Sequence, residues 1–274
     1  GQTTGSAGLH PRVKTVDSLE LSSSVLNAGK MFADENNNVL SNPKVNFVIQ
    51  DGRNHLLTTH KLYDVITSEP PPPRTAFTVN LYTQEYYELQ KNKLKPGGIA
   101  AQWIPIHSQG EKEIAMHFKT FQSVFPYTMG WLPVANEILL IGSNEPIKID
   151  FHELNKRIEE PVIKKDLSDI EITDIFSFLS NIWFLNEQVI QLGKGVPLIT
   201  DNHPAIEFYL NLGDVIGLPG QERYVFNRSR FDDVVKQISN LSEEDRQKFK
   251  PYFRAMDLYQ RGVMYGNRGQ LLEA

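Results

Sequence analysis

Cysteine is absent from these 274 residues. Its absence excludes disulfides, thiolate metal ligands and a thiol nucleophile, and leaves the compartment open. Long apolar runs are lacking too: nowhere do about 18 apolar residues follow one another, the length a membrane-crossing helix needs. The opening residues carry no signal-peptide pattern. Basic charge is not in excess: 28 Lys and Arg face 33 Asp and Glu, a net charge of −5. No basic face stands out, so nucleic acid is not an expected partner. The seven histidines lack ligand spacing. His55 and His60 lie five apart, off one helical face, so all are read as structural or surface residues and no metal is expected.

What is present is the composition of a water-soluble globular protein. Hydrophobic residues make up 40% and charged residues 22%, enough for a core. The length suits one large α/β domain with a small appendage, or two modest domains. Mild acidity agrees with a cationic substrate, a weak indication since many cytosolic enzymes share it.

Short β-rich runs alternate with helical patterns over the first two thirds. Strands are expected at Val13–Val16, Val45–Ile49, Tyr63–Thr67, Ile99–Trp103 and Glu137–Gly142. Helices are expected at Leu21–Asp34, with Ser22 to Ser24 as caps, and at Tyr82–Leu94 and Glu111–Val124. Asn36 to Asn38 read as a turn. Pro70 to Pro73 stop regular structure, and Pro96-Gly97-Gly98 separates a helix from the next strand. Spacings near 30 residues are the mark of βαβ units and a mostly parallel sheet. Ligands bind such sheets at the carboxyl ends of the strands, which directs attention to Asp17, Glu20, Asp51, Ser68, Glu69 and Gln102. Beyond Asp150 the pattern is mostly helical. Trp183–Leu192 reads as a helix, Val196–Ile199 as a short extended piece, and residues 229–274 as helical and charged.

Three positions carry chemistry on their own, each beside a plainer explanation. Gly1-Gln-Thr-Thr-Gly5-Ser-Ala-Gly8 is glycine-rich ahead of a strand, and such a loop lets backbone approach a nucleotide; a loose terminus would look the same. Glu20 lies a little under 20 residues further on, a distance at which a carboxylate can accept from both ribose hydroxyls; it also suits a helix N-terminus, where the dipole favours an anion. Asp51-Gly52-Arg53 closes a strand, where a carboxylate can accept from an adenine amino group; Asp-Gly is equally a common turn.

Asp51-Gly-Arg, Tyr63-Asp-Val-Ile-Thr-Ser-Glu69-Pro, Leu81-Tyr-Thr-Gln-Glu-Tyr-Tyr87-Glu-Leu and Leu94-Lys-Pro-Gly-Gly98-Ile-Ala-Ala-Gln102 follow in the order and spacing of spermidine synthases. The chain resembles the divergent bacterial spermidine synthase-like proteins, often fused to membrane segments, which also carry a late Thr-Asp-x-x-Pro-x-x-Glu segment, here Thr200 to Glu207. The likeness covers residues 1–142, is patchy to about 210 and is absent beyond. It implies a class I methyltransferase-like, Rossmann-like α/β fold with flanking helices and a helical C-terminal extension, divided into a nucleotide-binding domain over 1–215 and an extension over 216–274. The run from Met256 to Ala274 resembles the first helix of a tetratricopeptide repeat and the start of its second; an amphipathic helix packing on the domain is the equal alternative.

The resemblance implies roles. Gly1 and Gly5 would be what remains of the nucleotide loop. Glu20 would hold the ribose, and Asp51, with Gly52, the adenine. Glu69 falls where the family's catalytic Asp sits, next to Ser68. Gln102 matches a Gln after the following strand, and Tyr82 lies near the active-site lid. The co-substrate would be decarboxylated S-adenosylmethionine or S-adenosylmethionine, with a polyamine as acceptor and no metal. A cytoplasmic location, pairing as a homodimer and a membrane tether outside this chain are further implications. A first parallel strand is expected before Gly1, so the chain is expected to be a fragment or processed product.

Three positions depart from the family. Glu stands for Asp at position 69, prolines 71 to 73 replace a second, amine-binding Asp, and Ser22 replaces an acidic residue two positions after the ribose-binding Glu. Aminopropyl transfer is therefore weighed against methyl transfer from S-adenosylmethionine, for which Arg74 could supply a contact to the donor carboxylate. A third reading is a catalytically weak ligand-binding or scaffold module with partner-recruiting C-terminal helices.

Overall fold

The computed structural model describes residues 1–107, 109–207 and 220–267. In chain order the elements are α1 (Gln2–Leu9), β1 (Val16–Glu20), α2 (Ser23–Ala28), β2 (Val45–Ile49), α3 (Gly52–Thr58), β3 (Tyr63–Ser68), α4 (Gln84–Asn92), β4 (Leu94–Pro105), α5 (Glu111–Val124), β5 (Tyr127–Val134) and β6 (Glu137–Ser143). They continue with β7 (Ile149–Asp150), α6 (Phe151–Ile158), α7 (Pro161–Ser168), α8 (Ile175–Leu179), β8 (Ile182–Phe184), α9 (Asn186–Leu192), α10 (Gly220–Phe226), α11 (Phe231–Lys236), β9 (Ile238–Ser239) and α12 (Glu243–Asn267). The protein is α/β, as expected. Its contacts gather into two compact units, Gly1–His60 with Glu153–Ile175, and Lys61–His152 with Phe176–Ala274. The expected boundary at 215 and 216 lies outside the described residues, as do positions 268–274 of the repeat-like tail.

In the first unit, β1 and β2 pair parallel, from Val16 opposite Val45 to Glu20 opposite Ile49. The expected strand at Val13–Val16 is displaced to Val16–Glu20. The expected helix at Leu21–Asp34 is only six residues of α-helix, Ser23–Ala28, followed by a 3₁₀ turn at Gly29–Phe32. Ser22 is the cap, its hydroxyl accepting from the Ser24 N–H at 3.2 Å. Helix α1 corrects the expectation of a glycine loop. Gly5 and Gly8 sit in this helix and are its buried residues, and Gly1 is its N-cap. The reason is proximity: a Cβ on Gly5 would lie 2.1 Å from the main-chain oxygen of Asn36. That is an impossible contact, so glycine is what lets the helix pack there.

In the second unit, five strands form one sheet in the order β3-β4-β6-β5-β8. β3 and β4 are parallel; β4–β6, β6–β5 and β5–β8 are antiparallel. The sheet is thus mixed where the sequence suggested mostly parallel pairing, because β5, unforeseen, lies between β6 and β8. β4 is an interior strand, between β3 and β6, and is buried on both faces over Ala100, Ala101 and Gln102, which explains its continuous apolar run. It also runs through Pro96-Gly97-Gly98, expected as a break. Gly98 makes this feasible: a Cβ there would stand 2.9 Å from the Lys95 oxygen and 3.1 Å from that of Tyr63, where the β3–β4 register shifts.

α5 has the expected bounds. Its apolar stripe buries Ile114, Phe118, Phe121 and Val124, at the spacing of one helical face. The expected helix Trp183–Leu192 begins as strand β8, and its helix starts only at Asn186. Trp183 and Phe184 are fully buried, so packing against the sheet overrides local propensity. Val196–Ile199 belongs to no strand; an isolated bridge instead joins Thr200 and His203.

Candidate active site

Of the candidate residues, Gly1, Gly5, Glu20, Asp51 and Gly52 belong to the first unit, and Ser68, Glu69, Tyr82 and Gln102 to the second. In the first unit the parallel register brings Glu20 and Asp51 to the same end. Glu20 is the last residue of β1, and its main-chain oxygen accepts from the Gln50 N–H at 3.0 Å, directly after β2. Its carboxylate accepts the Ser22 N–H at 3.0 Å. That bond holds the side chain across the turn into α2. Asp51 caps α3, accepting the Asn54 N–H at 2.8 Å. The capping carboxylate satisfies one of the free N–H groups of the first turn. Gly52 is not demanded by packing, since a Cβ would meet Leu19 at an ordinary 3.8 Å. Gly1 caps α1 without a side-chain bond, and its oxygen accepts from Gly5 N at 2.9 Å. Gly5 therefore lies within the helix, and Gly1 stands at its N-cap.

In the second unit, Ser68 ends β3 opposite Gln102 of β4. The Tyr86 hydroxyl lies 3.1 Å from Ser68 Oγ. Gln102 is fully buried. Its Nε2 donates to the Trp103 carbonyl at 3.3 Å, and its buried Oε1 has no partner among the described residues. Glu69 follows β3 and is exposed, while Pro70 behind it is buried. Tyr82, expected near a lid, is fully buried; its hydroxyl lies 3.1 Å from the Pro70 carbonyl oxygen and 3.2 Å from that of Pro71. The late segment reaches the same region. Glu207 accepts the Phe77 N–H at 3.2 Å, and the Asp201 N–H donates to Glu85 at 3.0 Å.

Sequence reasoning missed three residues of this cluster. Tyr86 is one turn beyond Tyr82 and bonds Ser68. His117 packs edge-on against Tyr82, ring centroids 5.0 Å apart, and its Nε2 lies 3.0 Å from Gln109 Oε1. The Gln109 amide in turn donates to the Pro105 carbonyl. That leaves Gln109 Oε1 as the acceptor, so His117 carries its proton on Nε2. Burial lowers the His117 pKa to about 3, so the ring is neutral near pH 7. The signal was present: a histidine within the apolar run of α5 needs a partner.

Residues 2–141 match the spermine/spermidine synthase domain. The chain belongs to this family. The matched stretch is just over half of the chain and includes every candidate residue except Gly1. Among similar members, a polyamine aminopropyltransferase of Methanocaldococcus jannaschii is 29% identical over 180 residues, 62% of this chain and 58% of that one. One from Salmonella arizonae is 32% identical over 160 residues, 52% of this chain and 55% of that one. The chain thus spans a little over half the length of these curated relatives. Among solved structures, spermidine synthase from Thermotoga maritima aligns with a TM-score of 0.44 at 17% identity, covering 78% of this chain and 66% of that one. Human methyltransferase-like protein 13 aligns with a TM-score of 0.43 at 17% identity, covering 61% and 90%. Among the described residues, no helix is long and apolar enough to cross a membrane.

Proposed function

We propose that this spermidine synthase family member transfers an aminopropyl group from decarboxylated S-adenosylmethionine to a di- or polyamine. The observation that carries the reading is the family match over residues 2–141, which takes in both groups of candidate side chains. Glu20 and Asp51, at neighbouring strand ends, are the acceptors for ribose and adenine. Glu69 is the carboxylate for the amine. Diamines are protonated near pH 7, with pKa values near the ~10.4 of lysine. The attacking nitrogen must lose a proton before its lone pair forms the new C–N bond. A carboxylate beside it binds the ammonium, orients it and accepts that proton. The C–S bond of the sulfonium breaks, its electron pair stays on sulfur, and neutral methylthioadenosine leaves.

Methyl transfer from S-adenosylmethionine is the second reading. It is favoured by Pro71 to Pro73, which stand where the family resemblance places an amine-binding carboxylate. Calorimetric titration with the decarboxylated donor, S-adenosylmethionine and methylthioadenosine, followed by putrescine, separates the two. The expected result is preferred binding of the decarboxylated donor and release of methylthioadenosine with putrescine. Glu69→Gln is expected to lower that turnover about 100-fold with donor affinity kept. Preferred binding of S-adenosylmethionine without amine turnover selects methyl transfer, and binding of none of the three rejects both.

A further inference from the structure

The segment after Glu69 is four prolines long, and none of them has an N–H. Such a run cannot donate main-chain hydrogen bonds; its main chain is hydrogen-bonded only where other groups donate to its carbonyls, in addition to the packing of the buried Pro70 and Pro73. Three carbonyls in a row receive such bonds. The Tyr82 hydroxyl sits 3.1 Å from the Pro70 oxygen and 3.2 Å from the Pro71 oxygen, so its one hydrogen is shared between them. The Thr78 hydroxyl reaches the Pro72 oxygen at 2.9 Å, and the Thr75 N–H reaches it at 2.9 Å. Tyr82 is itself immobilised. Its ring is fully buried and packs edge-on against His117, and His117 is held by Gln109. A chain of contacts therefore runs from the end of β4, at Pro105, to the peptide groups immediately behind Glu69.

We infer that Tyr82 is a positioning residue: its hydroxyl clamps the Pro70 and Pro71 peptides and so fixes the Glu69 carboxylate. The inference rests on the reading of Glu69 as the group that handles the amine. Its role is indirect. A buried phenol with its hydroxyl on two carbonyls sets where the neighbouring carboxylate stands, and a shift of about 1 Å at a reacting group can cost about 100-fold in rate.

The test uses Tyr82→Phe in the intact protein, read by two independent measurements. The first is limited trypsin cleavage at Arg74, the exposed residue that closes the proline run. Losing one hydrogen bond is expected to speed cleavage about five-fold. The second is steady-state turnover, where kcat is expected to fall about ten-fold while the KM for the donor and the thermal midpoint stay near wild type. A purely structural role would move the midpoint and leave the ratio of kcat to KM unsplit. Thr78→Val loosens the same loop from its other side and is expected to act in the same direction. Unchanged cleavage in Tyr82→Phe overturns the clamp. Faster cleavage with unchanged kcat in both variants overturns the positioning of Glu69. A wild-type protein that turns over no amine fails the functional reading instead, and the cleavage rate then decides the clamp alone.

Discussion

His117 shows how one side chain acquires its properties from its surroundings. On α5 it occupies a position on the apolar face, fully buried, with the Gln109 amide as its hydrogen-bond partner among the described residues. Burial holds its pKa at about 3, well below the ordinary 6.5. The consequence for stability has a definite sign. Between the folded and unfolded values the unfolded chain binds a proton that the native protein refuses, so stability rises with pH there. The contribution is complete above about pH 6.5 and is lost as the pH falls toward 3. Lowering the pH from 7 to 5 is expected to cost the wild type about 2 kcal/mol more than His117→Gln. Urea unfolding midpoints of both proteins at the two pH values measure this, and equal pH slopes would refute it.

At the scale of elements, α1 is the clearest case of a contact that decides a residue type. Gly5 faces the main chain of Asn36, and Gly8 lies so close to Asn42 that a Cβ would sit 2.6 Å from its side-chain nitrogen. The Asn36 segment is stiff, because the Asn36 side chain bonds the Gly29 carbonyl at 2.8 Å and the Val39 N–H at 3.2 Å. Gly5→Ala would gain helix propensity in an isolated peptide, yet here overpacking prevails and a loss of about 1–3 kcal/mol is expected. Chemical denaturation checks the sign; a stabilised variant would show that the helix shifts freely. At the other end of the chain, α12 is secured by a different device. The Arg228 guanidinium lies 4.1 Å from the centre of the Trp183 ring and 3.3 Å from that of Phe253. It donates to the carbonyls of Ile182, Ser180 and Phe253. Burial lowers its pKa to about 9 against the opposing attraction of Asp257, and the ring faces and carbonyls surround the guanidinium.

Across the whole molecule the two units differ in how much they bury. In the first unit the buried hydrophobic side chains are Val39, Leu56, Ile158 and Ile175, while Leu21, Val25, Met31, Phe32 and Ile49 are exposed. The second unit buries Ile104, Phe118, Phe121, Phe125, Leu140, Trp183 and Phe184. Apolar burial is the main source of stability, roughly 25 cal/mol per Å². Native-state hydrogen exchange is therefore expected to open β1 and β2 at free energies at least about 2 kcal/mol below those of β4 and β6. Equal protection in the two sheets would contradict this.

The sequence by itself determined the local periodicities and the order of the motifs. The bounds of α5, the strands β2, β3 and β6, and membership of the spermidine synthase family were all legible, because each depends on neighbours within a few residues or on a collinear pattern. Tertiary structure decided the rest. Glycine is required at position 5 of α1 because a main-chain oxygen 31 residues away lies against it. Trp183 entered a strand because the edge of β5 was there to receive it, and β5 itself, with Gly130 and Pro133, carried too weak an alternation to be seen. Tyr82, expected near the active-site lid, is fully buried, with its hydroxyl on two carbonyls of a proline run 11 and 12 residues away. In each case the deciding partner is distant in sequence, and no local pattern records which distant group will arrive.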